Sequence, residues 1–252
     1  MQLHKPTFRK IQDHEFSKVI IEAWPPIMQL EQDDVEFNKW TQLQRYQYYV
    51  CSTFGQVLNK GDHIDQAKIL THSYPDIRAW RKHYGQSQYL QYHAEVYLAG
   101  VAGLIDRLLL VINYTYSFGT PHNHVRMRSV LDNLTKSKDT TMHSLVVLLK
   151  DRSSDTKELR DKAMHWTRYD HRDLSHLALI EHLIKEGNGT DADFSYLKGD
   201  ISFLTYFFRR SIADEIEKIE GDLIPLVEKL LTELLERYRL MCEYIIKQSQ
   251  SS

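Results

Sequence analysis

The chain predicts an all-α fold: an antiparallel helical bundle preceded by an N-terminal helical extension. Three observations carry this. Apolar residues recur at spacings of three and four over most of the 252 residues. Glycine and proline are scarce, at 10 and 6, and β-branched runs are few. The links between apolar-periodic segments are short enough for neighbouring helices to pack up and down.

The elements follow in order. Within the first thirty residues, Trp24-Pro25-Pro26 reads as extended or turned, because a residue before proline avoids the helical region. A helix is expected from about Asp34 to Leu58, stopped near Gly61-Asp62. Between Thr71 and Tyr84, Tyr74-Pro75-Asp76 opens a short helix. A long helix is expected over Ser87–Tyr116, with Val96, Ala99, Leu104, Leu108 and Ile112 inward, and Phe118-Gly119-Thr120-Pro121 ends it. Two shorter helices follow, His124–Leu134 and Thr141–Leu149. Ser154-Asp155 reads as the N-cap pair of another, broken near Tyr169–Asp173 and running on to Lys185. Glu186-Gly187-Asn188-Gly189 is a loop, and two more helices are expected, Tyr196–Ile219 and Asp222–Lys247. The last carries Leu223, Val227, Leu230, Leu234, Tyr238, Met241 and Ile245 as an amphipathic stripe, with Pro225 in its first turn.

Bulk properties narrow the function. Lys and Arg total 32 against 34 Asp and Glu, a formal charge of -2. That excludes a polybasic protein but leaves room for a local basic cleft. Two cysteines, Cys51 and Cys242, lie far apart with no Cys-x-x-Cys. They suit a reducing cytosol and packed rather than reactive thiols. The first ten residues show no apolar core of a signal peptide. The apolar run Tyr97–Tyr114 is interrupted by Asp106-Arg107, charges that are costly in lipid. A soluble cytoplasmic protein is expected.

The segment with most chemistry in it is Arg160-Asp161-Lys162-Ala163-Met164-His165. Arginine holds phosphate with a planar charged fork, and histidine moves protons near neutral pH. The same spacing occurs in Arg9…His14 and Arg78…His83, so spacing alone does not choose. Only the third pair has a small polar residue directly after the arginine and a strong helical context. If that helix continues, His165, Arg168, Arg172 and His176 fall on one face, as a stripe that can track phosphates. Trp166, Tyr169 and His171 can stack on bases. Positions 160 and 165 differ by about 140° and about 7.5 Å on a straight helix. Their convergence requires an irregular helix, a reaching arginine or a second copy of the chain.

Other chemistries have less footing. His122-Asn123-His124 and His171…His176 are the nearest histidine groups, and neither has a metal-site spacing. There is no Gly-x-Ser-x-Gly and no glycine-rich phosphate loop. No cofactor and no metal are expected. Tyr46-Gln47-Tyr48-Tyr49 reads as a helix with its hydroxyls at a wet edge.

With its arginine, polar residue and histidine, the 160–165 segment resembles the signature of the HEPN superfamily. Further resemblance lies in the long helix GVAGLIDRLLLVINY, whose Asp106-Arg107 reads as buried. The likeness spans roughly residues 86–247, so the chain divides into an extension, 1–85, and a HEPN-like bundle, 86–252, or forms one continuous domain. The resemblance implies a homodimer with the motifs lining a cleft at the two-fold axis. It implies a metal-independent endoribonuclease acting through the RNA 2′-hydroxyl, as a toxin or antiviral defence effector. Arg160 and His165 would then be catalytic with Asp161 in support, and Arg168, Tyr169, Arg172 and His176 would bind RNA. An antitoxin or other regulatory protein would be the partner. The alternative is a non-catalytic HEPN-like module that binds a partner protein or a nucleotide.

Overall fold

The computed structural model describes residues 6–28, 39–73, 85–161, 172–186 and 195–251, with the backbone alone at 25–28, 155–161, 195, 196 and 198. Among the described residues the regular structure is helical and no strand occurs. The elements are α1 (Lys10–Asp13), α2 (Glu15–Met28), α3 (Gln42–Thr71), α4 (Gln86–Thr115), a 3₁₀ turn (His122–His124), α5 (Met127–Ser137), α6 (Thr140–Asp161), α7 (Arg172–Glu186) and α8 (Ser195–Gln250).

Helices α3, α4, α6 and α8 form an up-and-down four-helix core. Helix α3 runs antiparallel to α4. Ile64 lies against Gly100 near one end, and the Tyr46 hydroxyl donates to the Thr115 carbonyl at 3.0 Å at the other. The Tyr116 hydroxyl donates to Asp139 Oδ2 at 2.7 Å, which fixes the turn from α4 into α6. Helix α8 runs antiparallel to α6, joined by Arg152 to Asp222 at 3.2 Å. It also runs antiparallel to α3, with Lys68 paired to Glu220 and the ring of Tyr46 stacked 5.8 Å from Tyr238. The short α1 and α2 cover the α3–α8 groove, where Phe16 meets Phe54 at 4.9 Å and Tyr238 at 6.3 Å. One continuous core includes Phe16, Phe54, Tyr97, Leu108, Leu149 and Leu230. The boundary drawn at residue 85 thus falls between α3 and α4, two helices that share that core.

The long helix expected over 87–116 is α4, and Leu104, Leu108 and Ile112 are buried in it. The stripe on the last helix is buried at Leu223, Val227, Leu230, Leu234, Tyr238 and Ile245, and Met241 packs beside it. Five boundaries differ. Helix α3 begins at Gln42, with Thr41 as its N-cap, rather than near Asp34. Helix α3 does not stop at Gly61. A Cβ there would sit 3.3 Å from the Cβ of Phe8, so this glycine admits the N-terminal segment rather than breaking the helix. Helix α2 continues through Pro25 and Pro26. The carbonyls that two prolines leave unpaired belong to Ile21 and Glu22, both exposed to water. Ser154-Asp155 caps no helix: the hydroxyls of Ser153 and Ser154 donate back to the carbonyls of Lys150 and Asp151, at 2.8 and 2.7 Å, within a continuous α6. Finally, α8 is one helix across Pro225, whose exposed side faces solvent while Leu223, Ile224, Leu226 and Val227 stay buried.

Helix starts have visible causes. Thr41 and Gln44 form a reciprocal capping box at α3, with bonds of 2.8 and 3.2 Å. Helix α4 is capped from a distance. Glu181 of α7 accepts from the backbone N–H groups of Gln86 and Ser87 at 2.6 and 3.2 Å, placing a carboxylate at the positive helix end. Gly100 sets the α3–α4 spacing, since a Cβ there would meet Ile64 Cγ1 at 2.7 Å.

A buried polar cluster ties these parts together. Lys68 Nζ donates to Glu220 Oε2 and to Thr7 Oγ1, each at 2.7 Å. Asp65 accepts the backbone N–H groups of Thr7, Phe8 and Arg9 at 2.8, 3.2 and 3.0 Å. Burial pushes the Glu220 and Asp65 carboxyls up, opposed by Lys68 at Glu220 and by the three N–H groups at Asp65. The Tyr97 hydroxyl, buried beside Glu220, is pushed well above the ordinary phenol range by burial and by that charge.

Three outcomes follow from this packing. Lys68→Ala should cost about 3–5 kcal/mol in urea unfolding, because it strands a buried carboxylate, while Lys68→Met with Glu220→Leu should recover most of the loss. His93 is half-buried against the edges of Tyr89 and Tyr92, at 4.4 and 5.1 Å, and burial lowers its pKa below the ordinary value of 6.5. Between the folded value and 6.5 the unfolded chain binds the extra proton, so stability falls as pH drops through that window. The urea midpoint of His93→Gln should therefore vary less with pH below 6.5 than that of the wild type. Burial pushes the Cys51 thiol up to about 12, so native protein at neutral pH should react with iodoacetamide there only as fast as it opens, and a labelling rate equal to that in urea would contradict the packed assignment.

Candidate functional site

Helices α4, α5 and α6 enclose a half-open cleft of about 540 Å³. Its apolar floor is Ala102, Ile105 and Leu109 of α4, with Met127 of α5. Its polar rim is Asp106 of α4, Arg126 and Arg128 at the start of α5, and Lys150, Ser153 and Ser154 of α6. The local fold explains the set. Positions 102, 105, 106 and 109 recur at three and four on one face of α4. Arg126 is the N-cap of α5 in extended backbone, so the positive end of an eleven-residue helix opens onto the rim. Lys150, Ser153 and Ser154 again recur at three and four, on α6.

Three cations against one carboxylate make this an anion-accepting surface. Arg126 Nη1 donates to the Val125 carbonyl at 2.8 Å, and Arg128 lies 3.9 Å from the exposed Asp132. Neither contact neutralises its cation by a close, buried pairing, and surface pairs of this kind are worth little. Lys150 is exposed. The volume falls within the ordinary span of ligand pockets, roughly 300–1,000 Å³.

The sequence-predicted residues stand as follows. Arg160 and Asp161 lie in α6 as backbone positions, about twenty residues into the helix rather than in the first turn of a new one. His165, Arg168 and Tyr169 lie outside the described residues. Arg172 and His176 are both exposed, one turn apart on α7, so this half of the expected stripe shares a face. Asp106 is exposed and Arg107 half-buried, which corrects the reading of that pair as buried: position 106 turns to the cleft, between Ile105 and Leu109 of its floor. Tyr46 is buried rather than at a wet edge, with its hydroxyl bonded to Thr115, while Tyr49 is 40 % exposed.

The register of α6 connects cleft and motif. Seven residues nearly complete two turns, so position 160 repeats the face of Ser153, and 161 that of Ser154, about 10 Å further along. Position 157, a lysine, repeats the face of Lys150. The cations Arg126 and Arg128 were not legible in the sequence, because the segment bearing them has no motif. Only the packing of α5 over α4 and α6 brings them to Lys150.

Among the described residues no group of three or more His, Cys, Asp and Glu comes together to hold a metal ion. No helix among them is long and apolar enough to cross a membrane.

No protein-family model, no curated protein and no solved structure matches this chain.

Proposed function

We propose that the chain is a metal-independent endoribonuclease of HEPN type, acting as a toxin or antiviral defence effector. The observation that supports this best is the shared face of α6: the cationic cleft at Lys150 and Ser153 and the positions of Arg160 and Asp161 lie along one line. RNA phosphates held by Arg126, Arg128 and Lys150 would lead the backbone towards the motif. There His165 takes the proton of a ribose 2′-hydroxyl, whose oxygen attacks the adjacent phosphorus. Arg160 stabilises the charge that develops on the phosphoryl oxygens, and Asp161 orients the pair. The 5′-oxygen of the next nucleotide leaves with a proton donated by the His165 of a second copy of the chain, acting as general acid, or by water, giving a 2′,3′-cyclic phosphate and a 5′-hydroxyl. A homodimer, with both copies of the motif at one cleft, belongs to this proposal. So does an antitoxin or regulatory protein that restrains it.

A second reading is a non-catalytic HEPN-like module that binds a nucleotide or a partner protein. It is favoured by the cleft lining, which offers three cations and one carboxylate to an anionic ligand and holds no histidine among the described residues.

Purified protein with RNA in EDTA separates them. The nuclease reading expects cyclic-phosphate products from the wild type and a loss of about 10²-fold or more in Arg160→Ala and His165→Ala. Lys150→Glu should weaken RNA binding and flatten its salt dependence. Cleavage that survives both motif substitutions would remove the assigned pair. Binding without cleavage by any form would leave the binding module.

A further inference from the structure

We propose that the α4–α5–α6 cleft seats a single guanine nucleotide unit of unpaired RNA, and that Asp106 is the residue that selects the base. This rests on reading the cleft as an RNA site. Three features converge on it.

The first is size and shape. About 540 Å³ between three helices admits one nucleotide with its phosphates, and a base pair within a duplex could not enter. The second is the division of the lining. The half-buried Met127, backed by the cleft-facing edges of the buried Ile105 and Leu109, offers an apolar surface on which a base face can rest, an interaction available to all four bases. Arg126, Arg128 and Lys150 stand at the rim, where flanking phosphates would lie. Neither group tells one base from another.

The third is Asp106. It is the one carboxylate in the lining, and it has no hydrogen bond or ion pair among the described residues. An acid among cations at a polyanion site opposes binding unless the ligand brings donors to it. A carboxylate only accepts hydrogen bonds, through two adjacent oxygens. Guanine is the base whose Watson–Crick edge presents two adjacent donors, N1–H and N2–H, which match those oxygens as a bidentate pair. Cytosine and adenine offer one amine beside an acceptor nitrogen. Uracil offers one N–H between two carbonyl oxygens that a carboxylate repels. Asp106 projects from the same α4 face as Ile105 and Leu109, so a base resting on that floor turns an edge towards it.

The test uses the full chain and end-labelled ten-residue oligouridines carrying a central G, A, C or U, read by fluorescence anisotropy at one salt concentration. Wild type should bind the G oligonucleotide about 5- to 100-fold more tightly than the all-uridine one, the span of a good bidentate base contact. In Asp106→Ala that difference should fall within about twofold while all-uridine binding is kept or improved. Lys150→Glu should weaken all four alike. Equal binding of all four by wild type, a G preference that survives Asp106→Ala, or no binding of any would overturn the proposal. GMP as competitor distinguishes the sources: displacement assigns the pocket to the free nucleotide as well, and a G preference without displacement assigns it to the RNA chain alone. A G preference with no cleavage in EDTA removes the nuclease reading and keeps this one. Cleavage without base preference does the reverse.

Discussion

Lys68 and Glu220 form an ion pair whose side chains are 4 % and 8 % exposed. Withdrawing two charges from water is expensive, and the cost is only partly offset here, because the second carboxylate oxygen of Glu220, Oε1, is buried without a hydrogen-bond partner among the described residues. Lys68 also donates to Thr7, and Asp65, one turn earlier on α3, holds three backbone N–H groups of residues 7–9. One polar cluster therefore fixes three separate parts of the chain: the N-terminal segment, the C-terminal end of α3 and the centre of α8. An apolar contact at the same place would tolerate sliding. A buried charge does not, because moving it one turn leaves it unpaired.

The position of the cleft depends on that register. With α8 fixed on α3 by Glu220, the buried Met142, Val146 and Leu149 seat α6 on the shared core, and Asp222 meets Arg152 at its exposed edge. With α4 fixed on α3 through the close approach at Gly100, the buried Ala102 and Ile105 form the base of the cleft and the exposed Asp106 stands at its rim, opposite Lys150 and Ser153. Tyr116, bonded to Asp139 and covered by Arg237 at 4.8 Å, closes the α4–α6 connection from the other end. Helix α5 then spans the gap and contributes Arg126 and Arg128. The cleft is the space left between three helices whose heights are set elsewhere.

Where the residue pattern misleads, it does so for a consistent reason. Gly61, Pro25-Pro26, Ser154-Asp155 and Pro225 are all local helix-breaking or capping signals, and each sits within a helix. At Gly61 the missing side chain makes room for Phe8. At Ser153 and Ser154 the hydroxyls find carbonyls of their own helix. At Pro225 four buried neighbours keep α8 against the core on both sides of the break. Local propensities amount to about 1 kcal/mol for glycine and about 3 kcal/mol for proline, and burial of several large apolar side chains outweighs them.

Periodicity and composition are enough to assign the helical fold class, the long α4 and the inward stripe of the last helix, because these depend on neighbours three or four positions away. The arginine–histidine motif is legible in the same way, as a pattern of types. Packing alone decides that Ser154 continues a helix, that Asp106 faces outward, and that Arg126, Arg128 and Lys150 share a rim. Those outcomes depend on residues 20 to 150 positions apart meeting at a set height, and that height is held by one buried lysine and one buried glutamate.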